Sequence, residues 1–151
     1  MYSTAEPCPP TRGFTLLELS TVLCLLAIVL AGAFPTLRSW ADRIAVVSAR
    51  EELVGFLHQA RGEAVARGGV ELFLTSSPPT VTLRHEEEVL AYCDLKHRYR
   101  VTLALSRDRD EAVLIFDAMG LGRVASQTLS LSRGEAQARL IVSSLGRVVL
   151  Q

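Results

Sequence analysis

An apolar run at residues 14–34 constrains the fold of this chain more than any other feature. At 1.5 Å per residue, a helix of about 21 residues spans a bilayer core of about 30 Å. Glu18 is the only strongly polar residue in the run. Thr15, Ser20 and Thr21 are also polar, but their hydroxyl groups can bond to their own helix backbone. The run therefore predicts a transmembrane helix, with the buried helix of a soluble protein as the less favoured alternative.

The carboxylate of Glu18 has two compatible interpretations. A carboxylate costs about 2.5–3.5 kcal/mol at the centre of a membrane helix, less near the helix end where Glu18 lies, and usually has a function there. Thr15-x-x-Glu18 is also the pattern of a capping box. An acidic side chain in the first turn interacts favourably with the helix dipole as well.

Residues 1–13 are polar and contain Pro7, Pro9 and Pro10, so they are interpreted as a leader or a disordered tail. A secretory signal peptide is the rival interpretation, because Ala31-Gly32-Ala33 fits the rule of small residues at a cleavage site. That cleavage would release a soluble β domain beginning at Phe34. The weak positive charge before the apolar run argues against it, and so does Glu18.

Composition narrows the class of protein. The chain has 151 residues, a formal net charge of zero and a pI of about 6.8, which gives no support to general nucleic-acid binding. After the apolar run, about 115 residues remain, enough for a core of their own. Cys8, Cys24 and Cys93 form no disulfide framework, and we interpret Cys93 as a small buried hydrophobic residue.

An amphipathic helix is predicted to follow the apolar run and to end at Gly68-Gly69. Its apolar residues recur three and four positions apart: Leu37, Trp40, Ile44, Val47, Leu53, Phe56, Leu57, Ala60 and Ala64. Since helix resumes directly after Pro35, a kink at this proline is predicted within one helix from about residue 14 to residue 67.

Short β-rich segments separated by turn residues fill the rest of the chain. They lie at residues 70–75, 80–84, 89–93, 99–105, 112–117, 128–131, 138–143 and 147–150. The expected fold is α+β, a long N-terminal helix packed on a C-terminal antiparallel β-sheet. The expected segments are a leader at 1–13, a transmembrane half-helix at 14–35, an amphipathic half-helix at 36–67 and a β-rich head at 68–151.

No catalytic, metal or cofactor site is expected. His58, His85 and His97 have no ligand spacing to one another or to cysteine, and Gly120-Leu121-Gly122 lacks the strand–helix context of a phosphate loop. The run from His85 to Glu88 is interpreted as an exposed hairpin tip. We therefore expect a protein that is not an enzyme.

The residues Arg-Gly-Phe-Thr-Leu-Leu-Glu at 12–18 resemble the type III signal sequence of type IV prepilins and of type II secretion pseudopilins. In that family a prepilin peptidase cuts after the glycine and methylates the new N-terminal phenylalanine. The resemblance implies cleavage after Gly13, N-methylation of Phe14 and a role in assembly for Glu18. Pro35 matches a helix-kinking proline that many pilins carry.

The C-terminal part is similar to the GspH/FimT/FimU group of minor pilins and pseudopilins, at residues 114–120 and 139–148. This similarity implies a subunit of a type II secretion pseudopilus or a type IV pilus, at or near its tip, with secretion slightly favoured. Its implied partners are other pilin or pseudopilin subunits, the prepilin peptidase and the inner membrane. The implied location is a single pass through the inner membrane with a periplasmic head, followed by a periplasmic or cell-surface filament.

The chemistry of residues 12–18 agrees with this resemblance. Cleavage after Gly13 exposes an α-amine on Phe14 that is largely cationic at neutral pH. Glu18 lies close to such an amine, its own or that of a neighbouring subunit. An ion pair there would offset the cost of burying both charges, and would help to bring each subunit into register with the one before it.

A DNA-binding minor pilin is the alternative function. FimT-like minor pilins bind DNA through a C-terminal Gly-Arg-x-Arg motif, and Gly146-Arg147 matches its first half, whereas Val149 replaces the second arginine. Arg123, Arg139 and Arg147, together with Arg133, are the candidate contacts if they converge in space. One matching arginine and a neutral chain give little affinity for phosphate, so DNA binding is not the expected function.

Overall fold

The computed structural model describes residues 13–123, 126–144 and 146–150. The predicted leader therefore lies outside the described residues, apart from Gly13. The described residues form one long helix, α1 (Leu16–Arg67), one short helix and eight strands. The chain divides into two compact units with the boundary between Leu37 and Arg38, inside α1.

The first part of α1 is apolar and uncovered. By length and composition α1 can cross a membrane, and none of its most apolar 18-residue window is buried. Pro35 lies inside the helix, which continues past a residue that has no backbone N–H to donate. The kink at Pro35 stays a prediction.

From Arg38 onward α1 presents one buried stripe, as its periodicity predicts. The buried residues are Val46, Ala49, Leu53, Phe56, Leu57, Ala60 and Ala64. Three of them are alanines that are fully buried, so the strands approach the helix backbone closely. The helix ends where Gly68 adopts a φ of 91°, a left-handed conformation that suits glycine at a helix C-terminus.

The strands number eight in the described residues, each close to a predicted segment. They are β1 (Gly69–Ser76), β2 (Pro79–His85), β3 (Glu88–Asp94), β4 (Thr102–Leu105), β5 (Glu111–Asp117), β6 (Gln127–Arg133), β7 (Ala136–Val142) and β8 (Val148–Leu150). All pairings between them are antiparallel. A short 3-10 segment, Ser106–Asp108, follows β4.

These strands form two sheets, where a single sheet was expected. The first has the order β3-β2-β1-β5 and the second the order β4-β6-β7-β8. In the first sheet β1 pairs with β5 at the register Leu72↔Leu114, which joins segments far apart in sequence. Both sheets alternate buried and exposed residues, so each turns one apolar face toward a common core.

A short helix, α2 (Leu95–Tyr99), corrects the predicted strand at residues 99–105. Asp94 caps it, because its Oδ1 atom accepts the N–H of His97 at 2.8 Å. Arg100 then adopts a left-handed φ of 55°, and the strand begins only at Thr102. A five-residue helix is too short to show a helical period in the sequence. The β-rich residues that follow it therefore led to a predicted strand that begins too early, at residue 99.

The core joins α1 to both sheets. Leu53 and Leu57 of α1, Leu72 and Phe116 of the first sheet and Leu140 of the second are among its largest fully buried side chains. Cys93 is 5% exposed and packs in this core, as the sequence predicts. Burial raises the pKa of its thiol above the ordinary value, so Cys93 is a packing residue.

Candidate functional site

The start of α1 holds the predicted assembly residue. Thr15 lies just before the helix, and its Oγ1 atom accepts the backbone N–H of Glu18 at 3.2 Å. This bond is one half of the predicted capping box. The side chain of Glu18 itself makes no hydrogen bond or ion pair with any residue that the structure describes. The capping interaction therefore uses the backbone of Glu18 and leaves its carboxylate available.

The other polar side chains in this segment are satisfied within the helix. Ser20 Oγ donates to the carbonyl oxygens of Leu16 and Leu17, at 3.0 and 2.9 Å. Thr21 Oγ1 donates to the carbonyl oxygen of Glu18 at 2.9 Å. These bonds remove the cost of placing hydroxyl groups in an apolar environment, so Glu18 differs from its polar neighbours.

The apolar surface around Glu18 is exposed on all sides of the helix. Phe14 is 84% exposed and Leu16 is 86% exposed. Gly13 and Phe14 lie just before the helix in extended or irregular backbone, and a Cβ atom at Gly13 would meet nothing within 4 Å. The predicted cleavage position is thus accessible in the described part of the chain.

Two polar clusters fasten α1 to the head, and the sequence analysis missed both. Asp42 pairs with Arg133 at 2.8 Å, and Arg133 also donates to the carbonyl oxygen of Tyr99 at 2.8 Å. Glu52 accepts from Arg98 at 3.0 Å and from the Tyr99 hydroxyl at 3.1 Å. Burial, and then the bond to Glu52, raise the pKa of Tyr99. Each cluster joins residues far apart in sequence, so no local pattern indicates it.

A third contact fastens the C-terminal segment to α1. The guanidinium group of Arg61 donates to the carbonyl oxygen of Gly146. Gly146 has a φ of 80°, and a Cβ atom there would lie 3.1 Å from Cε1 of Phe116. Gly120 has a φ of 71°, and its Cβ atom would lie 3.2 Å from Cγ2 of Val65. Both glycines therefore permit a backbone conformation and an approach that other residues would strain.

An open groove of about 480 Å³ lies between α1, the β5–β6 loop and β8. We call it the basic groove; it is lined by Val54, His58, Arg61, Gly120, Leu121, Arg147, Val148 and Leu150. Arg147 is held by its backbone, because its N–H donates to Ser143 Oγ at 3.0 Å and its carbonyl oxygen accepts the N–H of Ser143 at 2.8 Å. Its side chain is exposed.

The arginines considered for DNA binding have different surroundings. Arg123 pairs with Asp117 at 3.2 Å, and Arg133 is committed to Asp42. Arg139 is exposed on β7, about 13 Å along the strand from Ser143, the residue opposite Arg147. Two of the four arginines are thus already neutralised by carboxylates.

Asp117 organises the loop after β5. Its Oδ1 atom accepts the N–H groups of Met119 and Leu121, both at 3.0 Å. The bond from Leu121, with those from Met119 and Arg123, holds the pKa of Asp117 below its ordinary value. Ionisation of Asp117 therefore favours this conformation of the loop.

The hairpin tip between β2 and β3 matches its prediction. Glu86 and Glu87 form the turn, and Glu86 has a φ of 54°. Nδ1 of His85 lies 2.7 Å from the carbonyl oxygen of Gly69. No group of three histidine, cysteine or acidic side chains able to hold a metal ion occurs in the part of the chain that the structure describes.

Comparison with solved structures finds two similar proteins. A crystal structure of the type IV minor pilin FimU of Pseudomonas aeruginosa strain PAO1 has a TM-score of 0.57 and 22% identity, covering 72% of this chain and 90% of that chain. The structure of the minor pseudopilin EpsH from the Type 2 Secretion System of Vibrio cholerae has a TM-score of 0.54 and 17% identity, covering 73% of this chain and 97% of that chain.

Other comparisons find no relative. No protein-family model matches this chain. No curated protein matches it either. The two structural similarities confirm the predicted fold class, α+β with a long N-terminal helix packed on antiparallel β-sheets. The chain has the fold of a type IV minor pilin and a minor pseudopilin.

Proposed function

We propose that this chain is a minor pilin or pseudopilin subunit of the GspH/FimT/FimU kind. Prepilin peptidase cuts it after Gly13 and methylates Phe14, and residues 14–34 hold it in the inner membrane with its head in the periplasm. The subunit then joins a type II secretion pseudopilus or a type IV pilus, at or near the tip, with secretion slightly favoured. The similarity of its fold to a minor pilin and a minor pseudopilin supports this proposal.

The carboxylate of Glu18 is the observation that carries the proposal. It is the fifth residue after Gly13, it lies in an otherwise apolar helix surface, and no described residue pairs with it. The amine of Phe14 on a neighbouring subunit supplies the missing cation. In a low-dielectric environment such a pair forms only at the correct position along the helix, so it sets the register of assembly.

The exposed apolar surface of residues 14–34 has one role while the subunit is in the membrane and another after it joins a filament. In the membrane it contacts lipid, where the internally bonded hydroxyl groups of Ser20 and Thr21 cost little. In the filament the same surface packs against the equivalent helices of neighbours. The protein is a substrate of the peptidase and a structural subunit, and it performs no catalysis of its own.

The mature N-terminus tests the processing step. The full chain is expressed with a prepilin peptidase, and the membrane-extracted protein is analysed by mass spectrometry. We expect a chain that begins at N-methylated Phe14. A chain that begins at Phe34 would support the soluble β domain and refute the proposal. Expression without the peptidase is the control and should retain Gly13.

Glu18→Ala tests the assembly step. We expect it to lower incorporation into filaments about tenfold or more, because it leaves a buried amine unpaired, while membrane insertion is unchanged. Glu18→Asp keeps the charge and should recover part of the loss. Ser20→Ala is the matched control, since Ser20 bonds only to its own helix backbone. Normal incorporation of Glu18→Ala would refute the ion pair.

A further inference from the structure

We propose that the basic groove of one copy receives the acidic hairpin tip, residues 85–88, of a second copy of this chain. The contact would join the heads of two copies. This inference rests on the proposed function and deepens it, because it names the surfaces through which two heads meet.

The basic groove carries positive charge without a matching carboxylate. Arg147 and His58 are exposed in it, and no acidic residue is among its lining residues in the described part of the chain. The guanidinium of Arg147 has no partner among the described residues. The groove therefore favours a ligand that brings carboxylates.

The groove is also built on a fixed backbone. Arg61 holds the segment at Gly146, and Ser143 holds the backbone of Arg147 on both its N–H and its carbonyl oxygen. Gly120 allows the opposite wall to pack against Val65. Because the walls are already positioned, binding there loses little conformational entropy.

The hairpin tip is the complementary surface. It presents three consecutive carboxylates, of which only Glu88 is paired, with Arg67 at 3.0 Å. Glu86 and Glu87 are exposed and have no partner among the described residues. The contact of His85 with Gly69 and that of Glu88 with Arg67 hold both ends of the tip on its own head.

Apolar surface adjoins the charges on both sides. Val89, directly after the tip, is 51% exposed. In the groove, Leu121 is 45% exposed and Leu150 is 47% exposed. A tip seated in the groove would cover these side chains while its carboxylates face Arg147 and His58, which matches an apolar contact with a polar rim.

The groove and the tip are different surfaces of the same chain. A contact between them is therefore heterologous: after it forms, one copy still has a free tip and the other a free groove. Such contacts extend into a chain of copies unless they close a ring. The paired charges are exposed, so high salt weakens the contact.

Cysteine cross-linking of the full chain in membranes tests this contact. Cys8 and Cys24 are replaced by alanine, and two differently tagged copies carry Glu86→Cys and Leu121→Cys. We expect a disulfide-linked dimer that contains both tags. Glu135→Cys, an exposed acidic position on another turn, replaces Glu86→Cys as the matched control and should give no product.

Charge reversal makes the test specific. Arg147→Glu in the Leu121→Cys copy should lower the yield about fivefold, and Glu87→Arg in the other copy should restore it. An unchanged yield with Arg147→Glu, an equal yield from Glu135→Cys, or a cross-link to a different protein would each overturn the contact. Continued protection of Cys93 from alkylation verifies that each variant is folded.

The N-terminus of the same samples separates this inference from the proposed function. A chain processed after Gly13 that gives no mixed dimer refutes the groove contact and leaves the proposed function in place. A chain that begins at Phe34 refutes the proposed function, and the cross-linking yield then decides the contact by itself.

Discussion

At the scale of single residues, the polar groups of this chain fall into those that are paired and those that are not. Asp42, Glu52 and Asp117 hold basic partners within the head. Glu18 and Glu87 hold none among the described residues. The paired groups help to hold the head together, whereas Glu18 and Glu87 are unpaired groups that we assign to contacts with other molecules.

Asp117→Asn tests the carboxylate that organises the loop after β5. The lowered pKa of Asp117 means that ionisation stabilises the fold above the unfolded value, near 3.9. This contribution disappears as the pH falls through the lower pKa of the folded state. We therefore expect Asp117→Asn to reduce the free energy of unfolding at pH 7 and to have a smaller effect at pH 2.

Urea denaturation at the two pH values measures this difference. The asparagine oxygen can still accept the N–H groups of Met119 and Leu121, so the change removes mainly the charge. Glu135→Gln is the control, because Glu135 is exposed and lies on a different turn. An equal loss of stability at both pH values would contradict the electrostatic role.

At the scale of elements, sequence reasoning succeeded where a local pattern repeats. The three-and-four spacing predicts α1, and alternation with turn residues predicts each strand within a few positions. It did not predict the division into two sheets, because that depends on pairing β1 with β5 across three intervening strands. It also missed α2, whose single capping residue, Asp94, is a weak signal.

The candidate site shows the same limit. Gly13, Phe14 and Glu18 could be proposed from the sequence because they are close together in the chain, and their roles stay predictions. The basic groove was missed because it combines α1 with residues of a loop and of the last strand. Arg147 was singled out for its neighbour Gly146, whereas Arg61, which contacts Gly146, had no sequence signal at all.

We expect alanine substitutions at two glycines, Gly146 and Gly62, to change the free energy of unfolding in opposite directions. Gly146→Ala should lower the free energy of unfolding by about 1–3 kcal/mol, because the residue has a positive φ and its Cβ atom would crowd Phe116. Gly62→Ala should raise it by about 0.5–1 kcal/mol, since Gly62 lies in α1 and its Cβ atom would meet nothing within 4 Å.

Denaturation monitored by circular dichroism compares the two variants with the parent protein. Leu53→Ala is a useful reference, because Leu53 is a fully buried residue of the core. We expect this substitution to lower the free energy of unfolding by about 2–5 kcal/mol. A Gly146→Ala variant that is as stable as the parent protein would contradict the conformational role of Gly146, and a loss of stability in Gly62→Ala would contradict the prediction for Gly62.

At the scale of the whole molecule, the charge of this chain predicts its behaviour toward DNA. The formal net charge is zero, and Arg123 and Arg133 are already paired with carboxylates. We expect no salt-sensitive retardation of double-stranded DNA in a gel-shift experiment with the detergent-extracted chain. Retardation that Arg147→Ala removes, and that Glu135→Ala does not, would favour the DNA-binding alternative.

The contact between Arg61 and Gly146 also sets an order in time. The two residues are 85 positions apart in the chain. At about 5–20 residues per second, a ribosome makes Gly146 roughly 4 to 17 seconds after Arg61. The sequence of α1 is finished early in that interval, at Arg67, whereas the second sheet, which helps to cover its apolar stripe, is still incomplete at the end of it. A newborn chain therefore carries an apolar helix stripe that its head does not yet fully cover, and it depends on protection from aggregation until the last strands are made.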